Sequence, residues 1–135
     1  MEANERAYGY TTNWFVMDRL GAGGGSIIIG GIDVRGERWT RVISHRAAHM
    51  LWFRLTLLLF PERVEWLTPM DTLPIRDSKL PTITNQFIVE RLEGGVIEVT
   101  GIANGSRWTA KLLASDSMAL WSALKNYSTL AFSQT

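Results

Sequence analysis

The sequence predicts an α+β domain: a tandem β-β-β-α repeat with pseudo-twofold symmetry, its antiparallel meander sheets packed with two helices. Three observations carry this expectation. Part of the first half recurs in the second, each copy runs from strand-like to helical patterning, and all four prolines fall between the copies. NWFVMDRL (Asn13–Leu20) aligns with NQFIVERL (Asn85–Leu92), and GIDVRGERWT (Gly31–Thr40) with GIANGSRWT (Gly101–Thr109). Leu51, Trp52 and Leu55 then align with Leu120, Trp121 and Leu124. At an offset of 69, the 29 positions from Ile27 to Leu55 hold eight identities, two of them tryptophan. Ordinary residue usage would give roughly two, so the two copies read as a duplicated unit.

Each element follows from local pattern. In the first copy a strand over Asn13–Leu20 leads into the glycine loop GAGGGS, and a second strand covers Ile27–Val34. Arg35-Gly36 turns the chain into a third strand at Glu37–Ile43, the glycine supplying a conformation with positive φ. Ser44 is placed to cap a helix from His45 to Phe60, which Pro61 stops. The prolines at 61, 69, 74 and 81 mark residues 61–84 as a connector, with a short edge strand at Val64–Leu67. The second copy repeats the order, with strands at Asn85–Leu92, Gly95–Ile102 and Ser106–Leu113. Glu93-Gly94 and Asn104-Gly105 supply its turns. Ser115 then caps a helix over Asp116–Tyr127, and Ser128–Thr135 reads as a tail. The organisation is a single domain, 1–135, with repeats 13–60 and 85–127.

The first helix is apolar on two sides. Ala48, Leu51, Trp52, Leu55, Leu58 and Leu59 form one stripe, and Met50, Phe53, Leu57 and Phe60 a second. So wide an apolar arc predicts a helix at the centre of the domain or at a homodimer interface made by Met50, Phe53, Leu57 and Phe60.

Composition narrows the functions. The 135 residues, 46% hydrophobic and 20% charged, read as one globular domain. The absence of cysteine excludes disulfides, thiol nucleophiles and zinc-thiolate or iron–sulfur sites. No apolar leader opens the chain and no stretch approaches the ~20 residues of a membrane span, which predicts a soluble, cytoplasmic protein without a membrane partner. Net charge is +1, yet residues 35–63 hold six arginines against two glutamates, a local balance of +4. Such an excess marks either a solvated face or a surface for anions.

Chemical motifs are sparse. His45 and His49 stand at i, i+4, but no third ligand accompanies them and Arg46 occupies the position where HEXXH has glutamate. No metal site is therefore predicted. The GAGGGS loop lacks a following Lys-Ser/Thr and a helix, so no nucleotide cofactor is expected. Asp18, Glu90, Asp33, Glu37 and Glu98 form no legible acid–base pair, so the chain does not read as an enzyme.

Arg-Trp-Thr is the sharpest repeated word. Alternation in a strand turns Trp39 and Trp108 one way and their Arg and Thr neighbours the other. The tryptophans suit a core under the helices. Arg38, Thr40, Arg107, Thr109 and Lys111 then suit an outward polar platform, with Arg35, Arg41 and Arg46 nearby and Trp14 or Trp66 available for stacking.

The duplicated unit, spanning residues 13–127, resembles the architecture of Whirly-type single-stranded nucleic-acid-binding proteins. That resemblance of topology implies repeated sheet-plus-helix units that assemble through helices. Two functions follow as expectations. One is a small soluble adaptor or assembly module acting through protein–protein contacts, including self-association as a homodimer. The other is binding of single-stranded nucleic acid through a basic sheet face at Arg35, Arg38, Thr40, Arg41, Arg46, Arg107 and Lys111.

Overall fold

The computed structural model describes residues 5–18, 26–62, 83–103 and 105–133. Seven strands form one mixed sheet, with helices α1 (His45–Leu59) and α2 (Ala114–Ser133). The strands are β1 (Glu5–Tyr10), β2 (Thr12–Asp18), β3 (Ser26–Ile32), β4 (Arg38–Ser44), β5 (Ile83–Arg91), β6 (Ile97–Ala103) and β7 (Ser106–Leu112). Their order across the sheet is β1-β7-β6-β5-β4-β3-β2. The fold is α+β, as the patterning predicts.

One connection dictates the shape. β1 and β2 lie at opposite ends of the strand order, yet only Thr11 separates them in sequence. A two-residue step spans at most about 7 Å, so the sheet must curl until its two ends meet. Residues 5–18 therefore run as one bent segment that changes partners. β1 pairs parallel with β7, the Thr11 amide extends that ladder to the Lys111 carbonyl at 2.8 Å, and β2 then pairs antiparallel with β3. The bend is taken up by Gly9 at φ 72° and Asn13 at φ 52°, residue types that tolerate the left-handed region.

β5 changes partners in the same way. Ile83 and Thr84 pair parallel with Val42 and Ile43 of β4, after which β5 pairs antiparallel with β6. Beyond that point α1 replaces β4 along the strand. The Phe87 amide donates to the Met50 sulfur at 3.3 Å, and Arg91 Nη2 donates to the Leu58 carbonyl at 2.7 Å. Helix α1 thus packs on β5, α2 packs on β2, and the two helices pack on each other.

The core lies on the inner face of the curl. Tyr8 stacks on Trp39 with ring centres 4.2 Å apart, and Trp39 meets Trp108 at 5.2 Å. Trp39 and Trp108 each have a hydroxyl acceptor at a strand bend: Trp39 Nε1 donates to Thr11 Oγ1 at 3.1 Å and Trp108 Nε1 to Thr84 Oγ1 at 2.9 Å. Burial without these partners would leave the indole N–H desolvated. Each indole also faces a glycine across the ladder, Gly31 for Trp39 and Gly101 for Trp108. Between the helices Trp52 and Trp121 stack at 6.2 Å, and Trp121 Nε1 donates to Thr56 Oγ1 at 2.8 Å.

Several expectations need correction. β1 was not predicted, and the sheet is a single mixed one rather than separate antiparallel meanders, because two parallel junctions join its halves. Helix α2 begins at Ala114, so Ser115 lies inside it rather than capping it, and it continues through the expected tail to Ser133. Ser44 does cap α1, its side chain accepting from the Ala47 amide at 3.0 Å. The expected edge strand at Val64–Leu67 and most of the 61–84 connector lie outside the described residues, as do Gly21–Gly25.

Candidate interaction surface

The two outward surfaces of the curled sheet differ in chemistry. Alternation along β3 sends Ile27 and Ile29 inward, both fully buried, and Ile28 and Ile32 outward. Around the outer pair stand Val42 on β4 and Phe15 and Met17 on β2, with Met17 43% exposed. Gly30 lies flush beneath the Phe15 ring, whose edge is 3.0 Å from where a Cβ would sit. The Arg38 guanidinium caps that ring at 4.8 Å, and Thr40 is exposed beside it. Beyond Ile32, Asp33 holds the turn by accepting from the Arg35 and Glu37 amides, which leaves Val34 and Arg35 exposed at the tip.

On β5–β6–β7 the same outward parity gives Gln86, Ile88 and Glu90, then Glu98, Thr100 and Ile102, then Arg107, Thr109 and Lys111. This surface is mainly polar and carries both charge signs, with Ile88, 41% exposed, and Ile102 set singly among them. One outward wall is therefore apolar with a basic rim, and the other is solvated.

The residues proposed from sequence to bind nucleic acid fall into separate groups. Arg35, Arg38 and Thr40 share the apolar wall. Because Trp39 and Trp108 meet inside the curl, Arg107 and Lys111 project from the opposing wall, away from Arg38. Arg41 lies on the inner face and donates from Nε to the Tyr8 hydroxyl at 2.7 Å. Arg46 stands in the first turn of α1, with its Nε enclosed and lacking a hydrogen-bond partner. Trp14 is tied inward, its Nε1 donating to the Thr11 carbonyl at 2.8 Å and its ring set edge-on to Trp39. Trp66 lies outside the described residues.

The α1 stripe expected at an interface is partly used within the fold. Met50 is buried against β5, and Phe60 packs on Trp121 with ring centres 5.0 Å apart. Phe53 is half-buried beside His49, and Leu57 is 39% exposed.

The members of the α1 histidine pair sit in different environments. His49 is 1% exposed, while His45 is half-buried. Among the described residues no three His, Asp or Glu side chains gather where they could hold a metal ion. Burial pushes the His49 imidazole down from 6.5 to about 4. The unfolded chain therefore takes up this proton first as pH falls. His49 makes no demand on stability above about pH 6.5 and an increasing one between 6.5 and 4, amounting to about 3 kcal/mol. Chemical denaturation of wild type and His49→Gln over that range should show a gap closing or inverting towards acid. A gap constant with pH would contradict this account of His49.

The sequence held a signal for the apolar wall in SIIIGGI. Apolar residues at both parities of a strand mean that both of its faces are apolar. No helix among the described residues is long and apolar enough to cross a membrane. Comparison with protein-family models, curated proteins and solved structures found no match.

Proposed function

We propose that this chain is a small assembly module that pairs with a second copy of itself through the outer wall of β2–β3–β4. The observation that carries this reading is the contrast between the two outward walls. On one sheet face Met17 is exposed and Phe15, Ile28, Ile32 and Val42 are half-buried, an unbroken apolar set, whereas the equivalent surface of β5–β7 scatters Ile88 and Ile102 among charged and polar side chains. An apolar face is best covered by another apolar face. Within this chain the matching surface is the same wall, which favours a twofold, self-complementary contact.

Strand spacing and rise make that wall roughly 14 by 23 Å. Its size suits the dry centre of a dimer interface, with Arg35, Arg38 and Thr40 as the polar rim.

The two β-β-β-α units are, on this reading, copies related by a pseudo-twofold axis. Aligned tryptophans meet their own counterparts, Trp39 with Trp108 and Trp52 with Trp121. Each unit also begins with a strand that changes partners beside a threonine bonded to its indole. The copies agree inside the curl and diverge outside it, so function falls to the outer wall of the first copy.

Sedimentation velocity tests the assembly. Wild type is expected to run as a dimer of 15.2 kDa chains, Ile28→Lys as a monomer with unchanged circular dichroism, and Phe53→Arg as a dimer. A wild type that stays monomeric at every concentration contradicts the proposal, as does dissociation by Phe53→Arg alone. A salt series with single-stranded oligonucleotides separates the other reading. Submicromolar binding that falls steeply with salt and is lost in Arg38→Ala would favour nucleic acid as the partner of this wall.

A further inference from the structure

Arg41 sits on a wall that is otherwise apolar. Its neighbours along the inner face of β4 are Trp39 and Ile43, its cross-strand partner is Ile29, and all three are buried. The aligned position in the second half is Ala110, fully buried between Trp108 and Leu112. A guanidinium does not lose its charge in a protein, and Arg41 is half-buried, so its charge stands at the edge of this wall with part of it open to solvent. Its hydrogen bond is to a neutral group, the Tyr8 hydroxyl.

A second cation shares that ring. Arg6 holds its guanidinium carbon 5.4 Å from the Tyr8 ring centre, and Arg41 holds its own at 5.5 Å. Neither arginine has an ion-pair partner among the described residues. Tyr8 is fixed by its stack on Trp39, and because its oxygen accepts from Arg41 its own proton remains available to an acceptor. Arg6 is exposed and Arg41 half-buried, so both like charges reach solvent beside one ring, and an anion bound by both would offset their repulsion.

We propose that Arg6, Tyr8 and Arg41 form a binding site for a dianionic phosphate, free or as a monoester. The Arg41 N–H groups that Tyr8 does not use, the Tyr8 hydroxyl and the Arg6 fork supply charge-assisted donors of the kind that recognise phosphate. The site is on the inner side of the curl and does not depend on the dimer contact outside it.

Melting temperature in sodium phosphate, against sodium chloride at matched ionic strength, tests the site. Wild type is expected to gain about 5 °C at about 10 mM phosphate. Arg6→Gln and Tyr8→Phe should lose most of that gain and Arg41→Met all of it. If Arg41→Met does not fold, the other two variants carry the test. Equal melting of wild type in the two salts would overturn the proposal, as would an equal phosphate gain in every variant that folds. A response to oligodeoxythymidine without one to inorganic phosphate would overturn it too, because the backbone diesters carry no dianion.

Discussion

Gly101→Val is expected to destabilise the domain by about 3 kcal/mol or more, lowering the urea midpoint by about 1.5 M. The cause is steric. A Cβ built on Gly101 would lie 2.3 to 2.6 Å from three atoms of the Trp108 indole. That indole has no room to retreat, being 1% exposed and in edge contact with Phe87 and Tyr8. Moving it would also stretch its bond to Thr84 Oγ1 and disturb the ring contact with Trp39. Gly36→Ala is the useful contrast. Nothing lies within 4 Å of its added Cβ, so its cost comes only from a backbone at φ 81°, about 1 kcal/mol. A midpoint for Gly101→Val within 0.3 M of wild type, roughly the noise of such measurements, would mean that the indole does not lie over this glycine.

Trp108→Ala should cost about 4 kcal/mol, in the range for emptying a large buried aromatic site. The loss combines the ring packing with an unmade bond at Thr84, whose hydroxyl stays buried. Trp39→Ala should cost nearly as much, because its ring touches Tyr8, Trp14 and Trp108 together. The pair should be coupled. A double-mutant cycle through Trp39→Phe and Trp108→Phe is expected to return about 0.5 kcal/mol or more of interaction energy. Strict additivity of the two substitutions would contradict their meeting across the interior.

Much of this arrangement was legible in the sequence, and the reasons for success and failure are physical. Arg-Trp-Thr gives its facing at once, since a strand alternates and only the tryptophan is apolar. Ser44 and Pro61 bound α1 because capping and proline chemistry are local. β1 was not legible. ERAYGY carries charge, glycine and no regular alternation, and it is a strand because the edge of β7 pairs with it. The parallel junctions were equally hidden, since two residue pairs of β4 and β5 leave no pattern to read. Arg41 was grouped with Arg38 by charge alone, although their parity on β4 differs. Met50 and Phe60 read as either central or interfacial, because sequence cannot show that the edge of β5 and the ring of Trp121 would cover them.

Methyl NMR of isoleucine-labelled protein over a concentration series tests the assembly wall most directly. The methyl signals of Ile28 and Ile32, on the apolar wall, are expected to shift and broaden as concentration rises. Those of Ile88 and Ile102, on the polar wall, and of the buried Ile27, Ile29 and Ile43 should hold still. Signals of Ile28 and Ile32 that ignore concentration, or a response centred on Ile88 and Ile102, would contradict self-assembly through β2–β3–β4.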